Sequence, residues 1–496
     1  MGEAGPWLAD GPPALSSPRS AVTNESGLYE VTGLPAGRYV VSASKVPYAT
    51  VEYGQQRALA AGSEVAVREG TVSDNIDIAM PRGSVIAGRV FDDLGEPAAY
   101  LSVMAFRSRY SEGRRTLSPV GRSAATDDIG QYRIAGLPPG SYYVRTTPPP
   151  ADAAFNLAPS YYPGTQDVGA AEPVTVGLGT EVAGIDFSIL PGGLARVRGV
   201  VVADRGQPAR GARIALVGVS TGSSGSAAVR QDGSFALENV APGDYHLAAM
   251  RTNTASGEQE TVQRLLTVAG ADIDGLSLVM GRGGSVSGAV VTDDGSVPEM
   301  APASLRVRAV PFGGALPVRR TSAGSGTLGP EWAFELTGVG GAFMLQVQPL
   351  PAGWMLKQVL HDGQDVSDTG LRVSGTEAID DVQMVITRRT TAVSGAVVDD
   401  QDRPVADCTV VAFAEDRAHW RPHSRYFAVT RPNQEARFDV KYLPPGEYLV
   451  AAVDWVEDGT EEDPELLELL RPSAVRVQLG EGEHRTITLP LTVPRQ

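Results

Sequence analysis

The chain has 496 residues, of which 57 are glycine and 36 are proline, and it carries a formal net charge of −16. A phosphate-binding surface needs clustered Lys and Arg, so this acidic balance without a basic run argues against a nucleic-acid partner. The single cysteine, Cys408, excludes an intrachain disulfide, and no apolar stretch reaches the roughly 18 residues of a membrane-spanning helix.

A turn phrase recurs along the chain: a glycine and an aromatic residue, a short run, then one or two prolines and Gly-x-Tyr. It first appears as Gly27-Leu-Tyr29 followed by Pro35-Ala-Gly37-Arg-Tyr39. Its turn glycines Gly37, Gly140 and Gly243 lie 103 residues apart, and Gly446 follows 203 residues later, about two more periods. A period near 100 residues is too long for a solenoid repeat and matches one small domain per repeat.

An opening phrase of the type Val-x-Gly-x-Val precedes the turn phrase in four places. The glycine of this phrase is followed after nine or ten residues by a proline, with Asp- and Gly-rich clusters between. The alternation of apolar residues predicts a half-buried strand, and the polar cluster predicts the turn after it. The four opening phrases are Ile86-Ala-Gly88-Arg-Val90, Val197-Arg-Gly199-Val-Val201, Val286-Ser-Gly288-Ala-Val290 and Val393-Ser-Gly395-Ala-Val397.

These phrases predict an all-β chain, built as a tandem array of antiparallel β-sandwich modules with about seven short strands in each. The degenerate member has Trp332-Ala-Phe334 followed by Gly338-Val339 in place of a full turn phrase. One short helix is predicted near residues 463–471, with Asp463 as its N-cap and Pro464 in its first turn. The predicted bounds are 1–80 for module 1, 81–190 for module 2, 191–280 for module 3, 281–388 for the degenerate module 4 and 389–496 for module 5.

Module 1 is predicted to be a partial (half) sandwich with an irregular N-terminus, because it has the turn phrase without an opening phrase. Residues 1–20 lack the charged and apolar regions of a signal peptide. We therefore expect Met1 to be an internal or misassigned start, with a signal peptide on a longer parent chain. Because its strands lack partners, residues 1–80 are expected to be the least ordered part of the chain.

The paired phrases resemble the carboxypeptidase regulatory-like domain family, which is similar to transthyretin and to Cna B-type sandwiches and is often grouped with carbohydrate-binding-like folds. The resemblance covers about residues 21–491. It implies immunoglobulin- or transthyretin-like modules that are non-catalytic accessories of secreted bacterial proteins. It also implies an extracytoplasmic location, in the periplasm, at the cell surface or outside the cell.

Catalytic chemistry is not indicated by the residues. A zinc carboxypeptidase needs a His-x-x-Glu pair and a distant histidine, and none of the five histidines has Glu three residues later. His419 and His423 are four residues apart, but Pro422 between them argues against a helix that presents both, so a polar loop is favoured over a metal site. The sequence predicts no enzyme, no cofactor and no metal.

Ligand binding is expected at aromatic side chains in loops, because sugars stack on aromatic faces beside polar groups. The candidates are Tyr161 and Tyr162 in a rigid Pro-Gly loop, Trp420 with Tyr426, and Trp455 beside an acidic stretch. The alternative is that these rings cap the sandwich ends or pack between modules. The predicted function is binding of a glycan or cell-envelope polymer, or a structural spacer. The alternative function is an accessory array that binds a partner protein, a peptidase or an outer-membrane receptor.

Overall fold

The computed structural model describes residues 19–492 apart from 59, 61, 112, 148–157, 191–192, 204–205, 222–223, 253–258, 312–323, 375 and 458. The chain divides into two compact units, one of residues 1–107, 119–152 and 159–190 and the other of residues 108–118, 153–158 and 191–496. Short β-strands dominate both units, and the described residues contain a single α-helix. The predicted all-β fold class is confirmed.

Module 1 contains two isolated pairs of short strands. Strand β1 pairs antiparallel with β4, and β2 pairs antiparallel with β3. Residues 28–34 and 75–80, which correspond to strands in the other modules, form no strand with any described residue. The strands are β1 (Gly37–Tyr39), β2 (Ser42–Ala43), β3 (Val51–Glu52) and β4 (Val65–Val67).

Module 2 has two sheets. One has the order β10-β9-β6-β7, and the other places β5 between β8 on one side and β11 and β12 on the other. A 3₁₀ helix spans Val168–Ala170. The strands are β5 (Ser84–Phe91), β6 (Ser102–Ser111), β7 (Arg114–Ala125), β8 (Gln131–Leu137), β9 (Gly140–Thr147), β10 (Val174–Val176), β11 (Glu181–Val182) and β12 (Phe187–Ser188).

Module 3 repeats the arrangement with sheets β16-β13-β19 and β15-β14-β17-β18, which enclose one buried apolar core. Its strands are β13 (Ala195–Val202), β14 (Arg213–Gly218), β15 (Ser224–Ala228), β16 (Ser234–Val240), β17 (Gly243–Thr252), β18 (Gln259–Val268) and β19 (Ile273–Val279).

Module 4 has sheets β23-β20-β28-β25-β26 and β22-β21-β24-β27 around its own core, with a 3₁₀ helix at Pro302–Ser304. Its strands are β20 (Gly284–Thr292), β21 (Arg306–Pro311), β22 (Ser325–Thr327), β23 (Ala333–Val339), β24 (Gly341–Gln348), β25 (Met355–His361), β26 (Gln364–Asp365), β27 (Leu371–Val373) and β28 (Ala378–Thr387).

Module 5 joins its strands into one seven-stranded sheet, β31-β30-β33-β35-β29-β32 with β34 beside β33. The predicted helix is present as α1 (Pro464–Leu470), with the Asp463 carboxylate accepting from the Glu465 amide at 3.0 Å. Two 3₁₀ helices span Arg417–His419 and Arg471–Ser473. The strands are β29 (Ala392–Val398), β30 (Thr409–Ala414), β31 (Phe427–Thr430), β32 (Arg437–Lys441), β33 (Gly446–Val453), β34 (Val475–Leu479) and β35 (His484–Thr492).

Helix α1 explains why β30 is buried along its whole length. Val410 and Ala412 face the core between the layers of the sandwich. Val411 and Phe413 point the other way and belong to a second apolar cluster that includes Leu467 of α1. A strand buried on both faces reads as a continuous apolar run, as here, rather than as an alternation.

The first and last strands of each complete module pair in parallel. The opening strands β5, β13, β20 and β29 lie beside β12, β19, β28 and β35 respectively, all in the same direction. On their other side each opening strand pairs antiparallel with the strand of the turn phrase, β8, β16, β23 or β32. Sequence alternation predicts antiparallel strands throughout. These pairings, and the parallel pairings of β11 with β5 and of β33 with β35, differ because period-two alternation carries no information about strand direction.

The opening glycine lies at the closest approach of these three strands. A Cβ on Gly88, Gly199, Gly288 or Gly395 would overlap the carbonyl oxygen of the neighbouring last strand. On the other side each glycine is paired in register with the aromatic residue of the turn phrase: Tyr132, Phe235, Phe334 and Phe438 respectively. The missing side chain therefore lets the last strand approach and leaves room for the ring.

The second tyrosine of the turn phrase closes its own turn. The Tyr142, Tyr245 and Tyr448 hydroxyls donate to the carbonyl four residues earlier, at 2.6, 2.8 and 2.6 Å. The Tyr39 hydroxyl does the same in module 1, at 2.6 Å. In module 4 the equivalent position after Gly341 is the buried Phe343, which fills the core without the hydroxyl. The phenylalanine in place of tyrosine is the structural difference that accompanies the degenerate turn phrase of module 4.

We expect Gly288→Ala to destabilise module 4 by about 1–3 kcal/mol or more, because the new methyl group meets the Val382 carbonyl and the layer must shift. Gly340→Ala, in the same module, is the matched control: no atom lies within 4 Å of the position its Cβ would take. Urea unfolding of both variants measures the difference. Equal stability of the two variants would contradict the close approach.

Candidate functional site

The candidate site lies in module 5, in the connection from β30 to β31. Strand β30 ends at Ala414, and Asp416 then caps the 3₁₀ helix Arg417–His419 by accepting from the Ala418 amide at 2.9 Å. The chain turns back and enters β31 after Tyr426. This short connection therefore places His419, Trp420 and Tyr426 in one cluster at the end of the sandwich.

Three rings of this cluster are stacked. The His419 ring lies 3.9 Å from the Tyr426 ring at 22°, and Tyr426 lies 6.3 Å from Tyr448 at the same angle. Tyr448 is fully buried, and burial together with the neighbouring Tyr426 raises its pKa. The stack thus runs from the core of the module, through Tyr426, to the partly exposed His419.

Trp420 is turned toward the apolar cluster beneath α1. Its ring packs edge-to-face on Phe413 at 5.6 Å, and its indole N–H donates to the Ala414 carbonyl at 2.7 Å. The Arg417 guanidinium lies over the ring at 5.9 Å. One side of Trp420 therefore packs on Phe413, as expected if these rings cap the ends of the sandwich. The residue as a whole remains half-buried.

Tyr426 also takes part in a contact between modules 4 and 5. Arg425 forms a two-pronged ion pair with Asp368 of module 4, at 3.0 and 2.9 Å, and donates to the Lys357 carbonyl at 2.6 Å. The Tyr426 hydroxyl donates to the same Asp368 carboxylate at 3.3 Å. A planar guanidinium that grips a carboxylate with two hydrogen bonds fixes orientation as well as distance.

A second ionic contact joins the same modules. The Lys357 ammonium lies 2.5 Å from a carboxylate oxygen of Glu481 in module 5 and 3.5 Å from Asp293 in its own module. Gly353 donates its amide to the Tyr442 hydroxyl at 3.3 Å. Together with the Asp368–Arg425 pair, these contacts hold module 5 on module 4 at more than one point.

An open cleft of about 370 Å³ lies beside the ring stack. We call it the C-terminal cleft; it contains two partly exposed rings and three carboxylates. Glu415 is paired with Arg476 at 2.8 Å, whereas Glu447 is exposed and stands between the turn glycine Gly446 and Tyr448. The lining residues are Ala414, Glu415, Asp416, His419, Tyr426, Pro445, Gly446 and Glu447.

The aromatic pair of module 2 is arranged differently. Tyr161 is only 2% exposed, and its hydroxyl accepts from Arg145 at 3.4 Å. The half-buried Tyr162 packs edge-to-face on Phe187 at 6.3 Å. Because Tyr161 is buried and Tyr162 packs on Phe187, the structure does not present the two rings as one exposed platform. Ligand binding by Tyr161 and Tyr162 stays a prediction.

Trp455 follows β33 and is half-buried, and its indole N–H is buried with no hydrogen-bond partner among the residues described. The structure brings Trp420 and Tyr426 together around one small cavity, which Trp455 does not line. Its binding role, like those of Trp420 and Tyr426, stays a prediction.

The described histidines take part in no metal-ligand cluster. Across the described residues, no group of three or more His, Cys, Asp or Glu side chains is placed to hold a metal ion. His419 is stacked on Tyr426, and its buried Nδ1 atom has no hydrogen-bond partner in the part of the chain that is described. None of the helices in that part is long and apolar enough to cross a membrane.

Sequence reasoning did not single out Glu447 or Asp368. Glu447 occupies the variable position of Gly-x-Tyr, where the other modules have Arg38, Ser141 and Asp244. A variable position inside a recurring phrase indicates a solvent-facing residue, so the sequence could have identified Glu447 as exposed. Asp368 carries no such signal, because its partner Arg425 lies 57 residues away in another module.

The Asp368–Arg425 pair gives a testable dependence on pH. Burial alone raises the pKa of Asp368, but hydrogen bonds and positive charge from Arg425 outweigh it, so the pKa lies below its ordinary value. A lowered pKa means that the stabilisation is complete above the ordinary aspartate pKa of about 3.9 and is lost as the pH falls through the folded-state value. Asp368→Asn should cost about 1.5–3 kcal/mol at pH 7 and less at pH 3.

Urea unfolding at pH 7 and at pH 3, followed by tryptophan fluorescence, measures this difference. The control is Asp362→Asn, in the same module, whose side chain is 83% exposed. A cost for Asp368→Asn that is the same at both pH values would show that the pair does not titrate as described.

Comparison with known proteins gives a family match and several similar folds. The model of the carboxypeptidase regulatory-like domain matches residues 85–178 and 196–281. Similar solved structures include the TIE protein of Bacillus anthracis, with 11% identity, covering 86% of this chain and 79% of that chain at a TM-score of 0.17. No curated protein sequence matches the chain.

Two further solved structures are similar to parts of this chain. BcpA, the major pilin subunit of Bacillus cereus, is 12% identical and covers 82% of this chain and 99% of its own, at a TM-score of 0.18. A putative carbohydrate binding protein from Pseudomonas aeruginosa is 16% identical and covers 18% of this chain and 89% of its own, at a TM-score of 0.15.

Proposed function

We propose that this chain, whose residues 85–178 and 196–281 match the carboxypeptidase regulatory-like domain, is a non-catalytic array of β-sandwich modules that acts outside the cytoplasm. Its role is to bind a glycan or another cell-envelope polymer in the C-terminal cleft. The observation that supports this proposal is the meeting of the His419–Tyr426 stack with the carboxylates of Glu415, Asp416 and Glu447.

The chemistry of the C-terminal cleft suits a polyhydroxylated ligand. Carboxylates accept hydrogen bonds from hydroxyl groups, and charged acceptors form the stronger bonds. Because Tyr426 lies between His419 and Tyr448 in the stack, the ring edges and the outer face of His419 are the surface that remains for the C–H face of a sugar. A cleft of about 370 Å³ is within the usual range for a small-ligand site.

The architecture suits a spacer that presents this cleft. After the partial module at 1–80, the proposed modules at 81–190, 191–280, 281–388 and 389–496 repeat one fold along the chain. Ion pairs at Asp368 and Lys357 fix module 5 on module 4, so the cleft keeps one orientation relative to its neighbour. A polymer held at that cleft is therefore held in a defined direction.

Affinity electrophoresis of the full chain against soluble polysaccharides and peptidoglycan fragments tests the proposal. Glu447→Gln should weaken binding of the retarding polymer about tenfold or more, since it removes a charged acceptor. Glu435→Gln is the matched control, because Glu435 is an exposed glutamate of the same module that does not line the cleft.

Two results would contradict the proposal. If no polymer retards the chain, the protein-binding alternative, with a peptidase or an outer-membrane receptor as partner, replaces it. If retardation survives Glu447→Gln but is lost in Tyr161→Ala/Tyr162→Ala, the site lies on the loop of module 2 and the C-terminal cleft is not the binding site.

A further inference from the structure

The tip of the hairpin formed by β6 and β7 packs on modules 3 and 5. Residues 108–118, which we call the arm, belong to the second compact unit together with those modules. The Leu117 amide donates to the Ser220 carbonyl of module 3 at 3.1 Å, and Leu117 is only 5% exposed. Where the arm turns, a Cβ on Gly113 would overlap the ring of Pro422 in module 5. The arm therefore contacts both modules.

Module 5 receives the arm with carboxylates. The Arg115 guanidinium lies 3.0 Å from Asp463 and 2.5 Å from Glu465. Arg109 lies 3.9 Å from Glu457. Because Asp and Glu ordinarily titrate at about pH 3.9 and 4.3, these ion pairs persist well below neutral pH.

Module 3 receives the arm with a histidine. His246 lies on β17 between Tyr245 and Leu247, which face the core, so its side chain points to the opposite face of the sheet. It is nevertheless only 6% exposed, and its Nε2 atom lies 2.5 Å from an Nη atom of Arg114. A guanidinium can only donate hydrogen bonds, so Nε2 is the acceptor and the imidazole is neutral.

The surroundings of His246 oppose its protonation. Its cross-strand partners are the apolar Val217 of β14 and Leu265 of β18. Asp244, two residues earlier on its own strand, accepts from a threonine hydroxyl of β18 at 2.6 Å. Burial, together with the positive charge of Arg114, lowers the pKa of His246 below its ordinary value. A proton on this ring would therefore stand beside a permanent positive charge.

We propose that the arm is an acid-released strap: protonation of His246 breaks its bond to Arg114 and frees the arm from module 3, while Arg109 and Arg115 hold the arm on module 5. The bond needs the neutral imidazole. It is therefore fully formed above the ordinary histidine pKa of about 6.5 and is lost as the pH falls through the lowered value of the docked state. Release exposes Leu117 and the face of β17 that the arm covers.

Distance measurement by pulsed electron–electron double resonance on the full chain tests the proposal. One pair of nitroxide labels, at Thr116→Cys and Ser226→Cys, reports the distance from the arm to module 3. Another pair, at Thr116→Cys and Leu469→Cys, reports the distance from the arm to module 5. Cys408, the one native cysteine, is replaced by alanine so that it takes no label.

The two label pairs should respond differently to acid. Between about pH 7.5 and pH 5, the distance from the arm to module 3 should lengthen, with a midpoint below about pH 6.5. The distance from the arm to module 5 should stay the same, because its carboxylates keep their charge over this range.

Substitutions of the histidine sharpen the test. His246→Gln keeps an acceptor for Arg114 but does not titrate, so the arm should stay on module 3 at both pH values. His246→Lys places a permanent positive charge there and should free the arm even at pH 7.5. The matched control is His484→Gln, at an exposed histidine of module 5, which should keep the response of the unaltered chain.

Three results would overturn the proposal. The first is a distance from the arm to module 3 that is the same at both pH values in the chain that retains His246; this comparison holds even if a histidine variant unfolds. The second is a lengthening in His246→Gln equal to that with histidine, which would mean that another group is the switch. The third is a distance from the arm to module 5 that lengthens over the same pH range, which would mean that the arm leaves both modules.

Discussion

Each complete module depends on one contact: a glycine in the opening strand lies beneath an aromatic ring and against the carbonyl of the last strand. The opening strand is held on both edges, so its register is fixed twice. A shift of one residue would put a side chain where three backbones converge and would expose the apolar face. The core residues, the tyrosine-closed turn and the position of the last strand all follow from this register.

Much of the fold was predictable because each phrase contains the residues that its own local structure requires. The opening phrase marks the convergence of strands, and the turn phrase marks the ring and the turn that cover it. Strand direction was not predictable, since alternation is the same in either direction. The burial of β30 on both faces depends on α1, which lies some fifty residues later in the sequence. Phe343 shows that the core needs the ring more than the hydroxyl.

The candidate site was predictable only in part, because no local sequence pattern connects its side chains to the residues that they contact. Trp420 and Tyr426 were identified from their residue types, but their roles in packing depend on Phe413 and Asp368, which no local pattern connects to them. Tyr426 contributes to the C-terminal cleft, to the core through Tyr448 and to the contact with module 4. A site built on side chains that are already fixed by packing is preorganised, so a ligand loses little of its binding free energy in ordering it.

The parallel pairing of first and last strands determines how a module responds to mechanical load. The chain enters a module at one end of this strand pair and leaves at the other, so tension along the chain pulls the two strands past each other. The hydrogen bonds between them, such as those joining β29 and β35 over seven residue pairs, are then loaded together in shear rather than broken one at a time. Tension therefore meets the cooperative resistance of the whole ladder in modules 3, 4 and 5, whereas in module 2 only two residue pairs join β5 and β12.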